Sequence, residues 1–395
     1  MSHVYEPLTA ATIPAYIARQ PHLSARVNAD SLDVTEVGDG NLNLVFICRD
    51  DLGQSIVLKQ ALPYVRAAGE GWPLTPERAT AEARGLRAGR SASPETSPEP
   101  YGYDEANYVI AMEDLSALTV WREELNVGHA HGDASDQCGR HIARLLASTG
   151  PLDLDPAEIR VERGRLPNTA MCEITEALVF TEPYIDHEHN SWPTAVGGLI
   201  AELRADAAYR AGVERCKRTF LTTAECLVHG DLHTGSVMVG TDEGVDRTVV
   251  IDPEFCFYGP VAFDLGALFG NYLVAAVRAA ALGQHDHRAA VQRLPGGTWR
   301  GFETELRTRW AQRSSPTLTD HSLEQWFVDI RRQAISFGAC KAARRMIGFA
   351  KVSDIESLPD DVHADAVAVV LRNARRWMLN ARELDPTLLL EDLDA

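Results

Sequence analysis

The sequence predicts an α+β, bilobal protein, with a small lobe built on a β-sheet followed by a larger, mainly helical lobe. Three observations carry this reading. β-Rich runs separated by tight turns fill residues 34–59 and return at 108–112, with one helical stretch between them. From Trp121 onward the pattern is mainly helical. One short β-rich run, residues 248–252, interrupts that second part. The boundary falls near residues 113–120, so lobes of residues 1–115 and 116–395 are expected. No internal repeat is evident.

In chain order, residues 34–59 read as strand, glycine turn, strand, tight turn, strand. Val45, Phe46 and Ile47 form a β-rich centre, Asp50 to Gly53 supply a hairpin turn, and Ser55 to Lys59 continue as a strand. Thr75-Pro76-Glu77 reads as a helix start, with a capping hydroxyl and then Pro at the first helical position, and the helix is expected to reach about Arg90. The segment SASPETSPEP at 91–100 reads as a connection. A strand at 108–112 then leads into Glu113, Asp114 and Leu115. Helices are expected over 138–148, 174–178 and 195–209, among others. The apolar segment 261–282 is interrupted by Asp264, Asn271 and Arg278 and predicts a buried helix rather than a membrane span.

Composition narrows the function. The 395 residues are 45% hydrophobic and 24% charged, with a formal net charge of −18 spread along the chain. That field repels phosphate backbones and anionic lipid, so neither nucleic acid nor a membrane is expected as partner. A nucleotide would need local Lys, Arg or metal charge. The seven cysteines are scattered, with no CxxC pair, which argues against a disulfide framework or a structural zinc and for a reducing cytosol. The amino terminus MSHVYEPLTAATIPAY does not read as a signal peptide.

Four segments bear chemistry, and together they suit phosphoryl transfer, which needs cradled phosphates, an oriented acceptor hydroxyl and a bridging metal. The first is the glycine turn at 37–43, where backbone N–H groups and the Asn43 amide could lie near phosphates. The second is Lys59, a lysine in an otherwise apolar strand, with Glu82 as the best-placed partner and Glu77 as a competitor. The third is His229-Gly230-Asp231, a rigid loop presenting one carboxylate that could orient a hydroxyl and take its proton late. The fourth is Asp252-Pro253-Glu254, two carboxylates at a strand end that suit Mg²⁺. Asp231 and Asp252 lie 21 residues apart with a short hairpin between them, which places both on one wall of a cleft.

At this point the chain resembles the methylthioribose kinase family, of protein-kinase-like fold and related to aminoglycoside and choline phosphotransferases. The resemblance rests on HGDLHTGS at 229–236, DPEFCFYGPVAFDLG at 252–266, GDGNLNLVF at 38–46, VLKQALPYVRAAGEGWPLT at 57–75, MEDLS at 112–116, AMCEITEALVF at 170–180 and ARRMIGFAKVSDIESL at 343–358. It implies ATP-dependent phosphorylation of the 1-hydroxyl of methylthioribose, with Mg²⁺, in a cytoplasmic homodimer of methionine salvage. By position it implies that Asn43 and Lys59 contact ATP and that Glu113, Asp114 and Leu115 form the adenine hinge. Asp231 would contact the sugar as catalytic base, and Asp252, Pro253 and Glu254 would meet the nucleotide, with Asp252 and Glu254 holding the metal. Arg344 and Arg345 would reach the sugar, and Trp72 would belong to a loop folding over it. Gly71 stands where the family pattern has Ser.

Most relatives of this fold place Asn five residues after the catalytic Asp, whereas this chain has Ser236. A hydroxyl is a poorer metal ligand, so Glu254 is expected to take over. Lys341, Arg344 and Arg345 share a helix face by spacing, which without the resemblance reads as a solvated basic face. Asp186-His187-Glu188-His189 and His285-Asp286-His287 carry ligand-type residues without a second half at metal spacing, and read as non-functional. His229 and Asp264 are expected to brace the catalytic loop. The alternatives are a kinase of this fold acting on another 5-deoxy-pentose, choline or an aminoglycoside, a non-catalytic nucleotide-binding regulator, and a glycoside hydrolase using paired carboxylates.

Overall fold

The computed structural model describes residues 5–38, 42–66, 69, 71–242, 244–313 and 318–393. Strands β1 (Asp33–Glu36), β2 (Asn43–Arg49), β3 (Ser55–Ala61), β4 (Pro100–Asp104) and β5 (Val109–Met112) make one antiparallel sheet in the order β1-β2-β3-β5-β4. Alternation sorts its two faces. Phe46, Cys48, Ile56, Leu58, Val109 and Ala111 pack against Ile13 and Ile17 of helix α1 (Ile13–Ala18). Ala61 and Ile110 pack on the other face against Ala79, Ala83 and Leu86 of helix α2 (Arg78–Ala92). Lys59, paired with Val45 and Ile110, shares that second face and so points toward α2. The expected β2–β3 turn is present, with Gly53 at φ 79° and the Asp50 carboxylate accepting from the Leu52 and Gln54 N–H groups. Residues 39–41, the tip of the expected glycine turn, lie outside the described residues.

Helix α2 begins at Arg78, later than the Thr75-Pro76-Glu77 signal suggests. Thr75 Oγ1 does accept the Glu77 N–H, but the Thr75 carbonyl is taken by the buried Arg78 guanidinium, which sets residues 75–77 as a turn. At its far end α2 reaches Ala92, and residues 94–96 form a 3-10 turn inside SASPETSPEP. Farther on, α3 (Gly132–Thr149) and α4 (Thr169–Phe180) enclose the expected helices at 138–148 and 174–178. The helix expected over 195–209 is two, α5 (Gly197–Ala205) and α6 (Ala207–Thr222). Asp206 parts them: its backbone is extended and its carboxylate caps the Ala208 and Tyr209 N–H groups, both at 3.0 Å.

The β-rich run after the HGD segment is one arm of a hairpin, β8 (Val237–Asp242) with β9 (Val245–Val250), and β6 (Thr119–Val120) extends it as a third strand. The strand therefore ends two residues before Asp252, which sits at φ 68°. Two three-residue strands, β7 (Cys226–Val228) and β10 (Phe257–Gly259), pair on either side of the His229-Gly230-Asp231 loop. Such short apolar runs carry no periodicity that a sequence reading can use.

The largest apolar cluster is helical and is built around α7 (Ala262–Ala281), α8 (Leu294–Trp310), α9 (Asp320–Ile347) and α10 (Asp360–Leu379). As expected, α7 is buried, and no helix among the described residues is long and apolar enough to cross a membrane. Its contact with α9 is backbone to backbone. A Cβ at Gly266 would lie 2.6 Å from the Ala334 carbonyl oxygen, and one at Gly270 would lie 2.7 Å from that of Gly338. Gly266→Val is therefore expected to destabilise the protein by about 1–3 kcal/mol through overpacking. Gly164, helical with open space around it, is the control, and its change to Ala is expected to be neutral or stabilising. Urea unfolding midpoints check the pair, and equal midpoints would refute the close contact.

Candidate active site

Strand β7 delivers the chain into His229-Gly230-Asp231. Gly230 holds φ 84°, and a Cβ there would meet the Phe255 carbonyl oxygen at 2.2 Å, so only glycine fits. Asp264, in the first turn of α7, accepts the His229 N–H at 2.7 Å and the Gly230 N–H at 3.0 Å. The His229 ring bridges the loop to the strand end beside Asp252: Nδ1 accepts the Asp231 N–H, and Nε2 donates to the Ile251 carbonyl at 2.8 Å. Both residues brace the loop, as expected. Ser236 Oγ donates to the Asp231 carbonyl at 3.2 Å, so this hydroxyl serves the loop itself.

The Asp231 carboxylate faces α9. Lys341 Nζ lies 2.6 Å from Asp231 Oδ1, Arg344 Nη2 lies 3.8 Å from the same oxygen, and His233 Nε2 lies 3.5 Å from Oδ2. Burial alone would raise the Asp231 pKa, but Lys341, His233, Arg344 and Arg345 outweigh it and hold the carboxyl well below its usual range. Burial pushes Lys341 down to about 8, against the pull of Asp231. It also pushes His233 well below its ordinary value, against the pull of Asp231. The basic face of α9 is thus buried, with Lys341 3%, Arg344 6% and Arg345 9% exposed. The reading of a solvated face is corrected: an amphipathic pattern shows which residues share a face, not which neighbour covers it.

A second group of charges meets at the end of β9. Lys59 Nζ donates to Glu82 Oε1 at 2.7 Å and also contacts Asp252 Oδ1. Glu82, rather than Glu77, is thus the lysine's helical partner. Glu254, 4% exposed, accepts from Asn43 Nδ2 at 2.8 Å and faces Arg78 Nε at 3.6 Å, both through Oε2. Arg78 in turn donates to Asn43 Oδ1, Leu42 O and Leu62 O. The Asn43 amide is therefore engaged at both ends within the protein. Asn168 Nδ2 holds the Glu254 and Cys256 carbonyls at 2.8 and 2.9 Å. Carboxylate oxygens of Glu82, Asp252 and Glu254 lie within 4.8 Å of one another, a hard-oxygen set that suits a divalent cation such as Mg²⁺.

Against known families, residues 33–314 match the phosphotransferase enzyme family. The methylthioribose kinase of Geobacillus kaustophilus is 37% identical over 94% of this chain and 91% of that protein. That of Geobacillus thermodenitrificans is 36% identical over 98% and 96%. The chain belongs to the methylthioribose kinase family. As a member of this family it is a kinase that uses ATP, on a protein-kinase-like fold. Among solved structures it is similar to the Plasmodium vivax ethanolamine kinase, with 14% identity, a TM-score of 0.47, and 94% and 90% of the two chains covered.

The remaining residues named from sequence fall in four places around this methylthioribose kinase-type centre. Glu113 and Asp114 follow β5 with their carboxylates on Arg247 and Arg49 at 2.9 and 3.0 Å, and Leu115 is buried. Pro253 opens the 3-10 turn that carries Glu254. Trp72 packs with Val65, Leu74 and Met171, stacks on His189 with centroids 5.4 Å apart, and meets Phe349 at 5.5 Å. Arg345 donates to the Ala350 carbonyl, whereas Arg344 Nε is buried without a hydrogen-bond partner among the described residues. Sequence reading placed Lys341 on the right face but gave it no role, and it passed over Arg78 and Asn168. A lysine three residues before an Arg pair on a buried helix was the available signal for the first. Arg78 and Asn168 act through contacts to distant backbone, which leave no local pattern.

The Lys341–Asp231 pair makes a stability prediction. Removing one partner of a buried pair strands the other charge, so Lys341→Met and Asp231→Asn should each cost about 3 kcal/mol. The double variant should cost clearly less than the sum, because neither charge is then left alone. Chemical denaturation of the four proteins checks this, and additive losses would disprove the coupling.

Proposed function

We propose that this enzyme transfers the γ-phosphoryl group of ATP to the 1-hydroxyl of methylthioribose, giving the 1-phosphate. The observation that carries the reading is the pairing of two charge groups: Asp231 beneath the cations of α9, and Lys59 with Glu82, Asp252 and Glu254 at the strand end. His229 joins them through Asp231 and Ile251. In this reading Asp231 receives and orients the acceptor hydroxyl. Its depressed pKa supports an orienting carboxylate that takes the proton late rather than a strong base acting early. Lys59 compensates phosphate charge. Asp252 and Glu254 would hold Mg²⁺, which would supply charge compensation for the phosphates. The engagement of Ser236 within the loop supports Glu254 as the second metal-binding residue.

At the adenine end, the Glu113 N–H donates to Glu99 O and the Leu115 carbonyl accepts from Leu118 N–H. That favours Glu113 O and Leu115 N–H as the groups that meet the base. Of the arginine pair, Arg344 is assigned to the sugar, because Arg345 is committed to Ala350 while Arg344 Nη2 faces Asp231. Trp72 is assigned to the loop over the acceptor. The lobe division near residue 115, the homodimer and the cytoplasmic location are part of the same proposal. The seven unpaired cysteines support a reducing compartment.

The second reading, choline or an aminoglycoside as acceptor, is disfavoured by charge. Lys341, Arg344 and Arg345 crowd the carboxylate that would have to receive a cationic molecule. Another 5-deoxy-pentose remains the closer rival, since a methylthio group adds only about 1–3 kcal/mol of discrimination.

A coupled ADP-release assay with methylthioribose, 5-deoxyribose, choline and kanamycin tests the proposal. Turnover is expected with methylthioribose, weaker turnover with 5-deoxyribose, and none with the two cations. Absence of turnover with either ribose would end this reading. Asp231→Asn should lower kcat by about 100-fold or more while leaving ATP binding in place. Glu254→Ala should weaken Mg·ATP affinity and turnover in calorimetric and steady-state measurements, and unchanged values would remove its metal role.

A further inference from the structure

The segment Asp186-His187-Glu188-His189 reads from sequence as half of a metal site lacking its other half. The fold supplies the missing ligand. The chain turns back at 182–184, and Asn190 Nδ2 closes the loop by donating to the Glu182 and Ile185 carbonyls at 2.7 and 3.0 Å. Glu182 Oε2 then lies 2.9 Å from His189 Nδ1 and 3.6 Å from His187 Nδ1. All three ligand atoms fall within 4.8 Å of one another. With metal–ligand bonds near 2.0–2.1 Å, neighbouring atoms around a tetrahedral ion sit about 3.3 Å apart, between the two distances seen. His187 Nδ1 accepts the His189 N–H at 3.2 Å, so it is the unprotonated nitrogen of its ring, and an ion would take its lone pair in place of that long hydrogen bond. The side chains are half-buried, at 12% exposure for Glu182, 30% for His187 and 27% for His189, which leaves an open side for water.

We propose that Glu182, His187 and His189 bind one transition-metal ion of the zinc class, separately from the oxygen site at Asp252 and Glu254. Two imidazoles and one carboxylate form a three-ligand set with a vacant fourth position, which suits Zn²⁺ or Co²⁺. The same set disfavours Mg²⁺, which seeks oxygen ligands. The ion takes the place of the proton between His189 Nδ1 and Glu182 Oε2, and the displaced proton is carried on His189 Nε2. The loop is rigid enough to present this geometry: Ser191 N–H donates to Ile347 O at 2.9 Å, and Lys351 Nζ donates to Ser191 O at 2.6 Å. Because the His189 ring lies against Trp72 at an interplanar angle of 16°, a bound ion sits one ring away from that indole.

Co²⁺ is the probe, added to the full chain under saturating Mg²⁺. The expected result is one equivalent bound with the intense visible ligand-field bands of a four- or five-coordinate ion. Glu182→Gln and His187→Ala should each weaken that binding by more than about tenfold. Thermal unfolding should show both variants folded, and His187→Ala should retain basal Mg·ATP turnover. The ion should quench a tryptophan fluorescence component that Trp72→Phe lacks. The proposal is overturned if no such bands form, if both folded variants bind Co²⁺ as tightly as the parent, or if thiolate charge-transfer bands place the ion on a cysteine.

Discussion

The close approach of α7 and α9 is the constraint on which the rest of the centre depends. Glycines at 266 and 270 let α7 lie with its backbone against the backbone of α9 around Ala334 and Gly338. Each helix then contributes to Asp231 from a different side. From α7, Asp264 holds the backbone N–H groups of His229 and Gly230. From α9, Lys341 reaches the Asp231 carboxylate itself. Wider separation would lengthen the second contact and strand two opposite charges inside the protein, each at a cost of several kcal/mol. Packing density at one helix crossing thus sets the electrostatics of a loop that neither helix contains.

That arrangement also explains how a chain with a net charge of −18 can receive an anionic nucleotide. Its overall field opposes approach, and only local cations offset it. These are few and buried: Lys59 and Arg78 at one end, Lys341, Arg344 and Arg345 at the other. A buried cation is tolerable when carboxylates face it, and each one here has such a partner or neighbour. Positive charge is held where phosphate chemistry would need it, while the surface stays acidic.

Much of the fold was legible in the sequence, for identifiable reasons. Four strands of the five-stranded sheet follow from β-rich runs around tight turns, while the edge strand β4 was not expected, and α7 follows from an apolar stretch whose polar interruptions disfavoured a membrane span. The Lys59–Glu82 pair was legible because a lysine inside an apolar strand either reaches water at a sheet edge or meets an anion, and Glu82 was the best-placed carboxylate on the next helix. What failed was decided by long-range contacts. The start of α2 is moved by a buried guanidinium taking a backbone carbonyl, and the helix at 195–209 is split by a single capping aspartate. Strands β7 and β10 exist because they pair with each other, not because their residues insist on it. The Lys341 contact with Asp231 spans 110 residues, and Glu182 joins two histidines only after the chain doubles back. In both cases residue types were visible and their convergence was not.

The charges at the strand end do not balance, and the imbalance is informative. Glu82, Asp252 and Glu254 meet Lys59 and Arg78, so three carboxylates face two cations and one negative charge is left over. Asp252 is the least constrained of the three: its side chain is 42% exposed, while Glu82 and Glu254 are buried. It is also held at φ 68°, a left-handed conformation that an aspartate adopts at a cost of order 1–3 kcal/mol. The surrounding structure enforces that cost through Ile251, whose N–H and carbonyl are held by Ser236 and His229, and through the Pro253 turn that follows. A strained, partly exposed carboxylate beside an uncompensated negative charge is arranged for a cation that arrives from outside. A divalent cation at this point would offset the surplus of carboxylate over Lys59 and Arg78.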